Sequence, residues 1–166
     1  MREMEWPPAR GGAGLLIDRQ RLTVRSLGGL GQTLISGDLD AAVATLAPGA
    51  PMLGLDALLP AGAHALRIGR MSALLVTPAP LSVVEGWRDG WCATSVDDGW
   101  AAVEISGTDE QQALMQATSA DLASGSHSAA AMIFGLRGLL ARTSAGLRVH
   151  IEASWLETLL GWLDGA

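Results

Sequence analysis

Lysine and tyrosine are missing altogether from the 166 residues, cysteine and phenylalanine occur once each, as Cys92 and Phe134, and all 11 basic residues are arginine. Each absence removes a chemistry. Without lysine there is no Schiff-base amine and no P-loop cation; without tyrosine there is no phenolic acid; a single thiol makes neither an internal disulfide nor a thiolate metal site. The three histidines, His64, His127 and His150, have no metal-ligand spacing among themselves or with Cys92, so the sequence writes no metal site. Eleven basic residues against 17 acidic, a net charge of −6, are too few to displace the counterions of a nucleic-acid duplex. The long uncharged stretches at 41–55 and 122–136 are broken by Pro and Gly or by Ser and His, and neither reaches the roughly 20 apolar residues of a membrane span. Residues 1–14 carry acidic side chains and prolines where a signal peptide has an apolar stretch, so they read as a flexible arm and the protein as soluble and cytoplasmic.

What is present is a chain that is 49% hydrophobic, with 27 Ala, 26 Leu, 21 Gly and 6 Trp. At about 150 residues per domain, 166 residues predict one domain or a compact two-lobed unit that buries roughly 70% of its unfolded surface, with a core of small and medium aliphatics. Short alternating segments predict strands at Leu22–Ser26, 31–36, 65–69, 72–77, 100–106 and 146–151, and one or two strands over 129–134 and 136–142. Asp38 can cap a helix over Leu39–Leu46 that Pro48-Gly49 ends. A helical turn is expected at 55–59 and a short helix at 81–87. Two capping boxes, Thr108-Asp-Glu-Gln111 and Ser154-Trp-Leu-Glu157, predict helices over 109–118 and at the C-terminus, the latter with Trp155, Leu156, Leu159, Leu160 and Leu163 as its apolar stripe. Ile35-Ser-Gly37 recurs as Ile105-Ser-Gly107, and Gly86-Trp87 as Gly161-Trp162. The order strand, helix, hairpin, helix thus repeats, which predicts an internal duplication: an α+β domain over 15–166 with two similar lobes, approximately 15–90 and 91–166.

Few residues suggest chemistry. Asp97-Asp98-Gly99 puts two carboxylates side by side, but Asp-Gly ahead of a strand is also a tight turn, and adjacent side chains point apart. Glu104 and His150 fall on the strand faces opposite their apolar neighbours and are expected to meet solvent, while His127 sits in a polar loop, Ser124-Gly-Ser-His-Ser128. Gly28-Gly-Leu-Gly31 lacks the dinucleotide-loop pattern. Cys92 has no cation or histidine near it in sequence and reads as inert. Trp87 and Trp91 flank Arg88-Asp-Gly90 and read either as core joining the lobes or, with Trp6 in the arm, as anchors on a partner protein.

Thr77-Pro-Ala-Pro-Leu81, Ala93-Thr-Ser-Val-Asp97, Trp100-Ala-Ala-Val-Glu-Ile-Ser-Gly107 leading to Gln111-Gln-Ala-Leu114 and Ser119-Ala-Asp-Leu122, and the ending Val149-His-Ile-Glu-Ala-Ser-Trp-Leu-Glu-Thr-Leu-Leu-Gly-Trp-Leu163 together resemble the gamma subunit of heterotetrameric sarcosine oxidase, over roughly residues 60–166. That family resembles in turn the folate-binding domain of the glycine-cleavage T-protein and a folate-binding iron–sulfur maturation protein. The Lys-Gly-Cys-Tyr-x-Gly-Gln motif of the maturation protein cannot exist in a chain without Lys or Tyr, and no counterpart of the acidic catalytic segment of the T-protein is found.

The resemblance therefore implies a non-catalytic accessory subunit that binds no cofactor or metal itself. Its complex would use FAD, FMN, NAD and tetrahydrofolate, its partners would be larger catalytic subunits, and Trp6, Trp87 and Trp91 would lie at the interface. Two other readings stand beside it: a stand-alone tetrahydrofolate-binding, aminomethyltransferase-like protein using Asp97, Asp98 or Glu104 in a cleft, and a structural protein whose tryptophan surface closes a homodimer.

Overall fold

Side chains alternate between the two faces of a strand, and in this chain both faces of most strands are apolar, so each sheet must be covered on both sides. The structure, a computed structural model, describes residues 13–83, 86–108, 118–120 and 125–165. The described strands are β1 Gly14–Arg19, β2 Leu22–Ser26, β3 Gly31–Gly37, β4 Met52–Leu53, β5 His64–Gly69, β6 Ser72–Thr77, β7 Gly86–Arg88, β8 Trp91–Ser95, β9 Trp100–Ser106, β10 Ala130–Ile133, β11 Leu136–Arg142 and β12 Gly146–Glu152. The described helices are α1 Leu39–Leu46 and α2 Leu156–Gly165, the second entered through a 3-10 turn at Ala153–Trp155. The described fold is dominated by β-structure.

Among the described residues two six-stranded sheets form, in the orders β1-β2-β9-β12-β11-β10 and β4-β5-β6-β3-β8-β7. Their inner faces meet through Leu53, Leu66, Leu74 and Val76 on one side and Leu139 and Ala141 on the other. Helix α2 covers the outer face of the first sheet, with Leu156, Leu159, Leu160 and Leu163 on Val103, Ile105, Val149 and Ile151. Helix α1 covers the second, with Leu39, Ala42 and Val43 among Ile35, Ala73, Leu75 and Ala93. The order is therefore helix, sheet, sheet, helix. Each leucine buried in these layers contributes roughly 1.5–3 kcal/mol.

Strand for strand, β1 to β6 occupy in one or other sheet the positions that β7 to β12 occupy in its counterpart. The unit that repeats is hairpin, strand, connection, short strand, hairpin, rather than the expected strand, helix, hairpin, helix. Its leading hairpins are exchanged: β2 pairs with β9, while β8 pairs with β3. Each sheet thus draws strands from both sides of the 90/91 boundary. The paired glycines behave alike, since Gly37 and Gly107 both have positive φ, +99° and +121°, and a Cβ at either would lie 2.3 Å from a backbone oxygen, that of Gly90 or of Arg21.

Several local expectations change. Residues 55–59 do not make a helical turn, because their N–H groups leave the segment: Asp56 donates to the Ser126 carbonyl (3.0 Å) and Leu59 to that of Arg142 (2.8 Å). Residues 81–83 are irregular and 86–88 form β7 instead of a helix. Gly86 at φ +110° leaves helical space, and Asp89-Gly90, at φ +48° and +85°, make the left-handed two-residue turn that joins β7 to β8. Ser154 lies inside the 3-10 turn; Glu152 stands at its N-cap position and makes no side-chain cap bond. Trp155 leaves the apolar stripe and is exposed. The helix expected over 109–118 falls almost wholly outside the described residues, as does Trp6. No described helix is long and apolar enough to cross a membrane.

Candidate functional site

The β2–β3 connection, the β8–β9 turn and the start of α2 enclose a cavity of about 260 Å³ lined by Gly28, Gly29, Gln32, Asp98, Trp100 and Leu156 among others. Its walls follow from local turn chemistry. Gly29 takes φ +78° to reverse the chain after β2, and Val96 receives hydrogen bonds from the N–H groups of Gly99 and Trp100, which closes the Asp-Gly turn expected from sequence. Ala153 then donates to the Gly99 carbonyl at 2.9 Å, bringing the entry to α2 against that turn.

The two neighbouring aspartates do different things. Asp97 accepts from the Gln32 backbone N–H with one oxygen, which ties the turn to β3, and from the Ser95 hydroxyl at the end of β8 (2.8 Å) with the other, which braces the turn itself. Asp98 is exposed and faces the cavity beside Trp100. They do not converge as an acid and base pair. Glu104 is partly exposed on β9 and pairs at 3.3 Å with Arg148, directly opposite it on β12.

His150, expected to meet solvent, is fully buried. It does point away from Val149 and Ile151, but that face of β12 is covered by the second sheet. Gln32 reaches across the gap: its amide N–H donates to the Trp100 carbonyl (2.9 Å), leaving its carbonyl oxygen to accept from His150 Nδ1 (2.7 Å). Burial, then the nearby Arg148 and His64, push the His150 pKa down to about 3. His64, buried on β5, donates from Nδ1 to the Gly62 carbonyl at 2.9 Å, and its pKa is lowered mainly by burial, against that hydrogen bond and with a smaller push from Arg148. Neither Gln32 nor His64 stands out as a site in the sequence reading. The available signal is a polar residue at an inward position of an apolar strand.

The remaining candidates are dispersed. His127 is almost wholly exposed and pairs with Asp56 at 2.7 Å, tying the 125–128 loop to the β4–β5 connection. Cys92 is a half-buried free thiol. Trp91 is 4% exposed and packs beneath α1, so it presents no ring to a partner, whereas Trp87 is 65% exposed and leans over Gly37. Two further tryptophan rings are exposed: Trp155, expected in the apolar stripe of the last helix, and Trp162, whose ring lies 5.1 Å from that of Phe134. Among the described residues no group of three His, Cys, Asp or Glu is placed to hold a metal ion.

No protein-family model matches the chain, and no curated protein matches it. Its fold is that of a chain in the heterotetrameric sarcosine oxidase of Corynebacterium sp. U-96, solved in complex with pyrrole 2-carboxylate. The two share a TM-score of 0.72 and 19% identity over 90% of this chain and 85% of that one.

Proposed function

We propose that the chain is a non-catalytic, gamma-like accessory subunit of a multi-subunit, flavin- and folate-dependent sarcosine oxidase or related amine oxidase or demethylase. The observation that carries this reading is the extent of the fold match. It spans 90% of one chain and 85% of the other, so the counterpart is itself a small chain, not one domain of a large catalytic subunit. The local chemistry agrees: Asp97 is engaged in holding a turn, and Glu104 is paired to Arg148. Exposed Trp87, Trp155 and Trp162 supply the aromatic surface that interface hot spots favour. FAD, FMN, NAD and tetrahydrofolate belong, on this reading, to the larger subunits. Co-expression with flavoprotein subunits encoded in the same genome tests it. A stable complex that oxidises sarcosine or another N-methyl amine, while the isolated chain does not, is expected; sarcosine oxidation by the isolated chain overturns it.

The cavity beside Asp98 and Trp100 favours a second reading, a tetrahydrofolate-binding protein of the aminomethyltransferase type. Because Trp100 lines that cavity, bound pterin would quench its fluorescence. Saturable quenching by tetrahydrofolate that disappears in Trp100→Phe supports this second reading, and unchanged fluorescence removes it.

A further inference from the structure

Three buried polar atoms in the gap between the sheets, His64 Nε2, His150 Nε2 and Arg148 Nε, have no hydrogen-bond partner among the described residues. Their placement follows from register. Arg148 and His150 are two residues apart on β12 and project from the same face, into the gap. His64 and Gln32 both pair with Val76, one from each side, so the three form a row across the second sheet. Gln32 contacts His150 directly at 2.7 Å, which sets His150 over that row. His64 faces the same gap about two strand spacings from Gln32, roughly 10 Å along the sheet.

The protonation of each atom is fixed by its neighbours. A carbonyl can only accept, so the contact with Gly62 places a hydrogen on His64 Nδ1. Gln32 spends its amide N–H on the Trp100 carbonyl and offers His150 an oxygen, which places a hydrogen on His150 Nδ1. Neutral imidazoles protonated at Nδ1 have bare Nε2 atoms. The unpartnered atoms among the described residues of the gap are therefore two acceptors and one donor, the Nε–H of Arg148.

We infer that one internal water molecule is bound between the sheets, donating its hydrogens to His64 Nε2 and His150 Nε2 and accepting from Arg148 Nε. Buried waters characteristically make about three hydrogen bonds to groups that would otherwise lack partners. Two acceptors and one donor match the two hydrogens and one lone pair of such a molecule. Other occupants fit less well: the Arg148 guanidinium repels a cation, and two bare imidazole nitrogens repel an anion. The water joins His64, from the first half of the chain, to Arg148 and His150, from the second.

Histidine-selective 15N NMR on the full chain at pH 7.5, with water-selective cross-relaxation, tests the site without any substitution. Both rings are expected to be neutral and protonated at Nδ1, with hydrogen-bonded Nε2 shifts and a cross-peak to a long-lived water. A high-resolution crystal structure is expected to place a single density peak within hydrogen-bond reach of all three atoms, and His64→Phe to lose the long-lived water signal. An Nε2–H tautomer on either ring, a direct contact between the two imidazoles, or a gap without water density overturns the inference.

Discussion

A histidine held neutral inside a fold makes acid a denaturant. The folded-state pKa of His150 lies near 3, against an ordinary value of 6.5, and that of His64 is lowered as well. As pH falls below 6.5 the unfolded chain takes up these protons first, so the contribution of the two histidines to stability is level above that pH and declines below it, by on the order of 1.4 kcal/mol per pH unit for His150. Urea unfolding at pH 7.5 and 5.5 is expected to give a lower midpoint at the lower pH, and His150→Gln to shrink the gap between them. A midpoint that does not move with pH refutes the buried neutral histidine. The two tryptophans of the β7–β8 hairpin separate by the same logic of burial. Trp91→Ala removes a large side chain from the α1 core and is expected to cost about 3–5 kcal/mol. Trp87→Ala is expected to leave the thermal midpoint nearly unchanged while weakening co-purification with a catalytic subunit; equal stability losses from the two substitutions would contradict this division. His150 also marks a limit of sequence reading. Alternation correctly placed it opposite Val149 and Ile151, but period-two patterning reports which side a residue faces and not what covers that side.

Elements whose ends are set by local chemistry were legible. Helix α1 begins at the expected residue because Asp38 accepts from the Ala41 N–H (3.1 Å), and the hairpin of β5 and β6 follows its alternating apolar residues. Elements set by distant contacts were not: β4 and the 55–59 segment satisfy their backbones against β5, Ser126 and Arg142. Strand β7 has three exposed residues and no alternation to read, although Asp89-Gly90 is a hairpin signal. Two glycines on opposite sides of this distinction make a sharp test. Gly37→Ala forces a Cβ to 2.3 Å from the Gly90 carbonyl oxygen at φ +99°, so it is expected to destabilise by at least about 2 kcal/mol. Gly161→Ala, inside α2 with open space around its Cβ position, is expected to stabilise by about 0.5–1 kcal/mol. Chemical denaturation of both variants checks the pair, and a stable Gly37→Ala would show that the left-handed conformation is dispensable.

At the scale of the whole molecule, the repeated Ile-Ser-Gly segments pointed to duplication, since each ends the strand, β3 or β9, that receives the exchanged hairpin. Sequence could not reveal that exchange, because a strand's apolar face specifies burial and not the identity of its neighbour. The consequence is that neither half carries a complete sheet. A fragment covering residues 1–82 keeps β3 but loses β8 beside it, and one covering 83–166 keeps β9 but loses β2. Each would also expose the inner apolar face that the other covers, including Leu66 and Leu74 on one and Leu139 on the other. Expressed separately, the fragments are expected to show no cooperative unfolding as monomers. Mixed in equal amounts, they are expected to form a one-to-one complex whose circular dichroism and melting transition approach those of the intact chain. Association of one fragment with its own copy would follow the same geometry, since each leading hairpin could then occupy the equivalent place in its twin. A fragment that is monomeric by sedimentation and still melts cooperatively would show that the hairpin exchange is not what holds the two sheets together.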